Sequence, residues 1–134
     1  MNGMNRFRNA ILLMGALALL SGCVALGPSS NPGDVNEGEA VYYSDSFQGK
    51  KTASGAPYDK NALTAAHRSL PFGTVVRVTN LVNRRAVQVA ITDRGPYSHH
   101  SRIIDLSRKA AERIDMIRAG VVPVRIEIVS LPEK

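Results

Sequence analysis

The sequence is poor in several residue types that mark particular protein classes. Its 134 residues, enough for one domain, include one cysteine, no tryptophan and only 5% aromatic residues. A single cysteine excludes an internal disulfide framework and a zinc site built from several cysteines. Acidic residues are also few, 11 against 17 Lys and Arg, which gives a net charge of +6. A basic chain raises nucleic acid as a partner, but this charge is divided between two unlike parts of the sequence.

Residues 1–22 have the pattern of an export signal. Arg6 and Arg8 precede the apolar run 10–20, and no acidic residue occurs before Asp34. The run is too short for a helix that crosses a bilayer, which needs about 20 residues, and it is typical of the apolar part of a signal peptide. The alternative is a buried helix that holds an ordinary buried cysteine, but the run has no polar face to turn toward solvent.

Cys23 ends a Leu-Ser-Gly-Cys sequence that resembles the bacterial lipobox. The resemblance implies cleavage before Cys23 and lipid on its sulfur, which would anchor the chain because each buried methylene adds membrane affinity. Val24 is not the aspartate associated with inner-membrane retention, so we expect the outer membrane, with the domain facing the periplasm. Cleavage leaves 112 residues with a net charge of +4. We therefore expect no nucleic-acid partner.

Three further segments follow the signal peptide. We expect 23–37 to be a lipidated flexible tether because it is rich in Gly, Pro, Ser and Asn and has no hydrophobic period. Residues 38–130 are predicted to form the single domain, and 131–134 a short tail.

The domain is predicted to be mainly β. Four strands are indicated by apolar runs or by alternation of apolar and polar residues, at 40–43, 74–79, 85–93 and 123–129, with 80–84 as a hairpin turn. Ser107 is the predicted N-cap of one helix over 108–118, whose apolar stripe is Ala110, Ala111, Ile114 and Ile117. Five or six short strands with one helix suggest a small closed barrel, because closure removes exposed sheet edges.

Asp93 is the candidate for chemistry. Apolar residues at alternate positions of 87–91 share one strand face, and Asp93 continues that row. We expect an inward-facing carboxylate at the barrel mouth, where partial desolvation favours the protonated form of a general acid. Arg94 or Arg102, if close, would oppose this by favouring the anion. The alternative is that Asp93 only caps the turn 94–96.

No metal or cofactor is expected. His99 and His100 are adjacent, so they point in opposite directions on a strand, and neither an HxH nor an HExxH spacing occurs. The Gly-x-Ser-x-Gly turn of serine hydrolases is also absent.

Several short motifs occur in order along the domain. They are Gly38–Tyr43, Thr52–Gly55, Leu63–His67, Leu70–Thr74, Val76–Asn80, Asp93–Pro96 and Arg102–Ser107. Together they resemble the rare lipoprotein A family, septal-ring lipoproteins with a six-stranded double-psi β-barrel and one or two short helices. The Asp-Arg-Gly-Pro and Arg-Ile-Ile-Asp-Leu-Ser blocks are the most specific parts of the match.

The resemblance implies an endolytic transglycosylase that acts on peptidoglycan glycan strands. Such enzymes cleave the bond from N-acetylmuramic acid to N-acetylglucosamine without water, so this chemistry differs from that of two-carboxylate hydrolases. One carboxylic acid protonates the leaving oxygen, and the 6-hydroxyl attacks C1 to leave a 1,6-anhydro end. Asp93 matches the catalytic acid of the family, and His67 matches a histidine that orients or polarises the acid or the sugar.

The resemblance also implies a set of substrate-binding residues and partners. The substrate-binding residues are Tyr43, Thr52, Ser54, Tyr58, Arg94, Tyr97 and Arg102, with the tyrosines as sugar-stacking faces. The expected partners of this monomer are glycan strands, the membrane through Cys23, and cell-division or wall-synthesis proteins. One position departs from the family, since Ala56 stands where a glutamate is usual. The alternative is therefore an expansin-like protein that binds glycan without cutting it.

Overall fold

Six strands and one α-helix make up the part of the chain that the computed structural model describes, residues 30–134. They are β1 (Val35–Tyr42), β2 (Thr64–Ala66), β3 (Val75–Asn80), β4 (Ala86–Asp93), β5 (Arg102–Leu106), α1 (Arg108–Arg113) and β6 (Val122–Ser130). The predicted signal peptide and residues 23–29 of the predicted tether, Cys23 included, lie outside the described residues. No helix within residues 30–134 is long and apolar enough to cross a membrane.

The strands close into a barrel in the order β1-β5-β2-β4-β3-β6. Strands β3 and β4 form the predicted antiparallel hairpin, and β6 pairs with both β3 and β1. Two pairs are parallel, β1 with β5 and β2 with β4. The predicted small closed barrel is confirmed, and every strand has a partner on each side.

The barrel core follows from the alternation of apolar residues. In β3, β4 and β6 every second residue is buried and its neighbours face outward. The fully buried side chains include Val76, Val78, Val89, Ile91, Ile104, Leu106, Val124, Ile114 and Met116. The last two come from the segment that begins at α1, which closes one side of the core.

The first strand begins earlier than predicted. β1 starts at Val35 rather than Ala40, so the last residues of the predicted tether belong to the sheet. Residues 35–37 are exposed and show no hydrophobic period. They form strand because their backbone pairs with β6, for example Val35 opposite Glu127.

The helix is shorter than predicted, ending at Arg113 rather than near 118. The Ile114 carbonyl accepts hydrogen bonds from the side-chain amides of Asn80 and Asn83, at 2.9 and 3.0 Å. Asp115 then adopts a left-handed conformation with φ of 54°, which ends the helix. Met116 supplies the buried contact that the predicted stripe assigned to Ile117.

Ser107 caps α1, as predicted, and also joins it to the loop before β2. Its buried hydroxyl accepts a hydrogen bond from the Ala110 amide at 3.2 Å and donates one to the Ala62 carbonyl at 2.6 Å. We expect Ser107→Ala to lower the free energy of unfolding by about 1–2 kcal/mol, because both backbone groups lose their partner. Urea unfolding measures this, with the exposed Ser130→Ala as control. Equal stability of the two variants would contradict the assignment.

Candidate active site

A slip in strand register sets the position of Asp93. In the pairing of β2 with β4, Ala65 lies opposite Ile91, but Ala66 lies opposite Asp93 rather than Thr92. Ala65 and Ile91 belong to the barrel core, whereas Ala66 packs outside it. The prediction that Asp93 continues the inward row is therefore wrong. The irregularity turns its carboxylate to the outer face of the barrel, as β-bulges do beside functional sites.

Four strands contribute to this outer row. Asp105 lies opposite Val41 of β1 and opposite Ala66 of β2, and Asp93 lies opposite Ala66 on the other side. Two carboxyl groups thus flank the methyl group of Ala66, with their Cα atoms roughly 10 Å apart from two strand spacings.

The Asp93 carboxylate accepts two hydrogen bonds. The Tyr43 hydroxyl donates to its Oδ2 at 2.5 Å, and the Ala53 amide donates to its Oδ1 at 2.8 Å. Both donors belong to the chain segment between β1 and β2, which folds over this face of the barrel. Asp93 is therefore held by contacts from outside its own turn, which argues against a role limited to capping residues 94–96.

Tyr43 and Tyr58 stack on each other and are buried. Their ring centroids are 4.4 Å apart with an interplanar angle of 11°, and Phe47 packs edge-on to Tyr43 at 5.8 Å. The two tyrosines are only 9% and 4% exposed, so the expectation that they offer free sugar-stacking faces is wrong. Burial and the neighbouring Asp93 carboxylate raise the pKa of Tyr43, so its hydroxyl remains a donor. Burial also raises the pKa of Tyr58.

Asp105 is the functional candidate that the sequence reasoning missed. Its Oδ1 is buried and has no hydrogen-bond partner among the described residues. Burial, together with the charge of Asp93, raises the pKa of Asp105 to about 7. A signal for it did exist, since Asp105 alternates with the buried Ile104 and Leu106, but β5 was not located as a strand.

His67 is neutral and is linked to Asp93 only through the backbone. Its Nδ1 accepts hydrogen bonds from the amides of Ser69 and Leu70, both at 3.1 Å, which assigns the ring proton to Nε2. Burial and the charges of Arg94 and Arg68 lower the pKa of His67 to about 4. The His67 amide donates to the Asp93 carbonyl at 3.1 Å. The ring borders a cavity of about 280 Å³ and has no hydrogen bond to the Asp93 carboxylate.

Arg94 binds main-chain carbonyls, that of Asp93 among them at 3.5 Å, and forms no ion pair with the Asp93 carboxylate. Its guanidinium donates to the carbonyls of Leu70 and His67, at 2.8 and 3.2 Å, and lies 4.0 Å over the Phe72 ring. Arg94 therefore makes no direct contact with the Asp93 carboxylate through which it would favour the anion.

The remaining predicted basic and aromatic residues are Tyr97, in the loop after β4, and Arg102, the first residue of β5. Arg102 has a buried Nε without a partner among the described residues, whereas Tyr97 is 72% exposed and has a free ring face. The neighbouring Arg68 organises the loop by donating to the carbonyls of Pro96, His99 and Arg102, at 2.7, 2.6 and 2.7 Å.

Thr52 and Ser54 belong to a tight turn against Asp93. The Thr52 hydroxyl donates to the Ala56 carbonyl at 2.6 Å and lies 3.0 Å from the Ser54 hydroxyl. Ala53 between them supplies the amide that binds the Asp93 carboxylate. Ala56 is exposed at the end of this turn. A larger side chain at position 56 would therefore extend into solvent without displacing the core.

The site offers proton-transfer chemistry from carboxyl groups. Asp93 and Asp105 both pair with Ala66, and the Tyr43 hydroxyl binds the Asp93 carboxylate. The neutral imidazole of His67 directly follows Ala66 at the end of β2. Within residues 30–134 no three His, Cys, Asp or Glu side chains are placed to hold one metal ion.

Known proteins with this sequence pattern are peptidoglycan enzymes by name. The chain is 52% identical over 97 residues to the "Endolytic peptidoglycan transglycosylase RlpA" of Campylobacter jejuni, which covers 72% of this chain and 35% of that protein. It is 58% identical over 92 residues to the "Probable endolytic peptidoglycan transglycosylase RlpA" of Treponema pallidum, which covers 69% and 29%. The chain thus spans about a third of the length of these relatives.

Solved structures share the barrel. A Streptomyces papain inhibitor superposes with a TM-score of 0.60 at 26% identity, covering 74% of this chain and 97% of that one. The apo expansin of Clavibacter michiganensis superposes with a TM-score of 0.58 at 23% identity, covering 75% and 53%, and shows likeness of fold alone. The family model described as "Lytic transglycolase", a double-psi β-barrel, matches residues 35–126. With most of its length matched, this chain belongs to that lytic transglycolase family, the family of the RlpA proteins.

Proposed function

We propose that this chain is a peptidoglycan lytic transglycosylase that cleaves N-acetylmuramic acid–N-acetylglucosamine bonds and leaves 1,6-anhydro ends. The observation that carries the proposal is the Asp93 carboxylate, turned out of the barrel core and bound by the Tyr43 hydroxyl and the Ala53 amide. Membership of the lytic transglycolase family supports this choice of reaction. The names of the matched relatives support peptidoglycan as the substrate.

Asp93 is the acid/base carboxyl group of the proposed reaction. The reaction needs one proton delivered to the departing glycosidic oxygen and one removed from the 6-hydroxyl as that oxygen attacks C1. A positioned carboxyl group is suited to such transfers because they occur at the bonds that change in the transition state. His67 polarises the glycan through its Nε2 proton, and the exposed ring of Tyr97 offers a stacking face for a sugar.

The proposal includes the place where the chain acts. Lipid on Cys23 holds it at the outer membrane, where the short tether keeps the barrel close to its anchor and to cell-wall polymers. Cell-division or wall-synthesis proteins are proposed partners there. The support for this location is the Leu-Ser-Gly-Cys sequence.

The Asp93→Asn variant tests the catalytic assignment. We expect it to lower the release of 1,6-anhydro ends from stem-peptide-free glycan strands by at least about 100-fold, because the amide neither donates nor accepts the transferred proton. Mass spectrometry of the products from the purified full chain measures this. Asp59→Asn is the matched control, since Asp59 is exposed and its carboxylate accepts a hydrogen bond only from the local Asn61 amide.

Two results separate the site from the function. If Asp93→Asn cuts as fast as wild type, Asp93 is not the catalytic group even though the chain is an enzyme. If wild type yields no anhydro ends yet sediments with purified sacculi, the chain is a glycan binder of the expansin-like kind.

Ala56 is the observation that favours that second function, because a proton shuttle is missing from the turn that binds Asp93. We expect Ala56→Glu to raise turnover at least about tenfold, since the exposed position accepts a side chain and a carboxyl group there can exchange protons with the site. Initial rates on the same strands measure this, with Ala56→Gln as a control of equal size that lacks the acid. An unchanged rate, or an equal gain in both variants, contradicts the shuttle.

A further inference from the structure

The first half of β1 has one backbone edge without a neighbouring strand. The Asp34 carbonyl accepts a hydrogen bond from a β6 amide at 2.9 Å, whereas the Glu39 amide donates to the Ser101 carbonyl, on the side of β5, at 2.9 Å. Alternate residues of a strand direct their backbone groups to the same edge, so Val35 and Glu37 direct theirs away from β6. β5 pairs with β1 only from Glu39 onward. The N–H and C=O groups of Val35 and Glu37 therefore have no partner among residues 30–134.

A gap in the barrel wall faces this edge. Because β5 begins opposite Glu39, no strand of the described barrel lies beside residues 35–38 on the side away from β6. Two adjoining cavities of about 280 and 190 Å³ occur in this place, and Asn36, His67 and Ser69 line both. We call them together the edge cavity. It separates β1 from the loop that follows β2, as the space for one further strand would.

The edge cavity has polar walls and an apolar floor. The floor consists of three buried core residues, Leu70, Ile126 and Ile128. One wall holds the unpaired amide of Val35, and the opposite wall holds the Ser69 hydroxyl, which has no hydrogen bond within residues 30–134. The His67 ring adds an Nε2 donor, since its Nδ1 accepts two backbone hydrogen bonds. Such a cavity suits a neutral ligand that has both polar and apolar groups.

We propose that the edge cavity binds the acetamido group of an N-acetylglucosamine unit of the glycan strand. This rests on the proposed function, and it adds the part of the sugar that the chain recognises. The C=O and N–H of a trans amide point in opposite directions, so the group bridges the gap as a peptide unit of an added strand does. Its carbonyl accepts from the Val35 amide, and its N–H donates to the Ser69 hydroxyl. Its methyl group covers the apolar floor, and the His67 Nε2 donates to a sugar hydroxyl.

The charge at the rim of the edge cavity distinguishes the two sugars of the strand. N-acetylmuramic acid carries a lactyl group with a carboxylate or a peptide beside its acetamido group, whereas N-acetylglucosamine carries a hydroxyl there. Asp34 is exposed at the rim and repels a nearby carboxylate. The neighbouring Arg68 does not offset this charge, because its guanidinium donates to loop carbonyls, among them those of Pro96 and His99. The rim therefore favours N-acetylglucosamine.

Chitotetraose and cellotetraose together test the assignment without activity. Both are β-1,4-linked tetramers, and only chitotetraose has an acetamido group in place of the 2-hydroxyl. We expect the full wild-type chain to bind chitotetraose at least about tenfold more tightly, because two hydrogen bonds and a buried methyl group are gained. NMR titration measures both affinities, and the amide resonances of Val35 and Asn36 should shift with chitotetraose. Equal affinities, or shifts that leave these two amides unmoved, would overturn the proposal.

A pair of variants at Val35 tests the bridging hydrogen bond. Val35→Pro removes the unpaired amide and leaves the pairing with β6 intact, since that amide points away from β6. We expect it to lose at least about fivefold in affinity for chitotetraose and nothing for cellotetraose. Val35→Ala, which retains the amide, should bind as wild type does.

Thermal melts establish that both variants are folded. Equal binding of chitotetraose by folded Val35→Pro and Val35→Ala would contradict the bridging role. If Val35→Pro does not fold, the wild-type amide shifts decide the question alone.

Failure of this inference differs from failure of the proposed function. If wild type prefers chitotetraose at the edge cavity but releases no 1,6-anhydro ends from glycan strands, the acetamido site stands and the enzymatic function fails. If wild type releases these ends yet binds the two tetramers equally, the function stands and the acetamido site fails.

Discussion

The one-residue slip between Ala65 and Ala66 is the constraint on which the site depends. Up to Ala65 and Ile91 the ladder between β2 and β4 follows the barrel, and both side chains fill the core. One residue later the ladder places Asp93 opposite Ala66, outside that core. Without the slip, a carboxylate in phase with Ile91 would point into the apolar interior, where it has no donors and a large desolvation cost. The slip gives the carboxylate a half-buried place instead.

The segment between β1 and β2 supplies the groups that bind the Asp93 carboxylate. It has little regular structure, yet it is held by the Tyr43–Tyr58 stack and by a single bridge between Lys51 and Pro57. It supplies both donors to Asp93 and covers one side of Asp105. The loop after β4 is fixed in a comparable way, since Arg68 and Arg94 donate to backbone carbonyls. These basic side chains hold loops together and do not neutralise the carboxyl groups, which preserves the contrast between Asp93 and Asp105.

The regular parts of this arrangement are readable from the sequence, and the irregular parts are not. β3, β4 and β6 alternate cleanly because one face of each packs into the barrel, and Ser107 marks the start of α1. The start of β1 at Val35 leaves no such signal, because exposed residues there are ordered by backbone pairing with β6. The helix end depends on Asn80 and Asn83, more than 30 positions away. Period-2 reasoning identified Asp93 but reversed its face, since a register slip depends on the partner strand.

Asp105 shows why only part of a site can be predicted from a sequence. A three-residue strand such as β2 is too short to display a period, and β2 is the element that brings Asp93 and Asp105 to either side of one methyl group. Both carboxyl groups lie outside the apolar core cluster of the barrel. The buried Asp105 oxygen without a partner in residues 30–134 is therefore a local cost at the site. Such local cost is typical of catalytic groups, whose protonation must differ from that of an ordinary surface carboxylate. The site therefore holds two carboxyl groups in unlike surroundings, since Asp93 accepts two hydrogen bonds whereas the buried Oδ1 of Asp105 has no partner among the described residues.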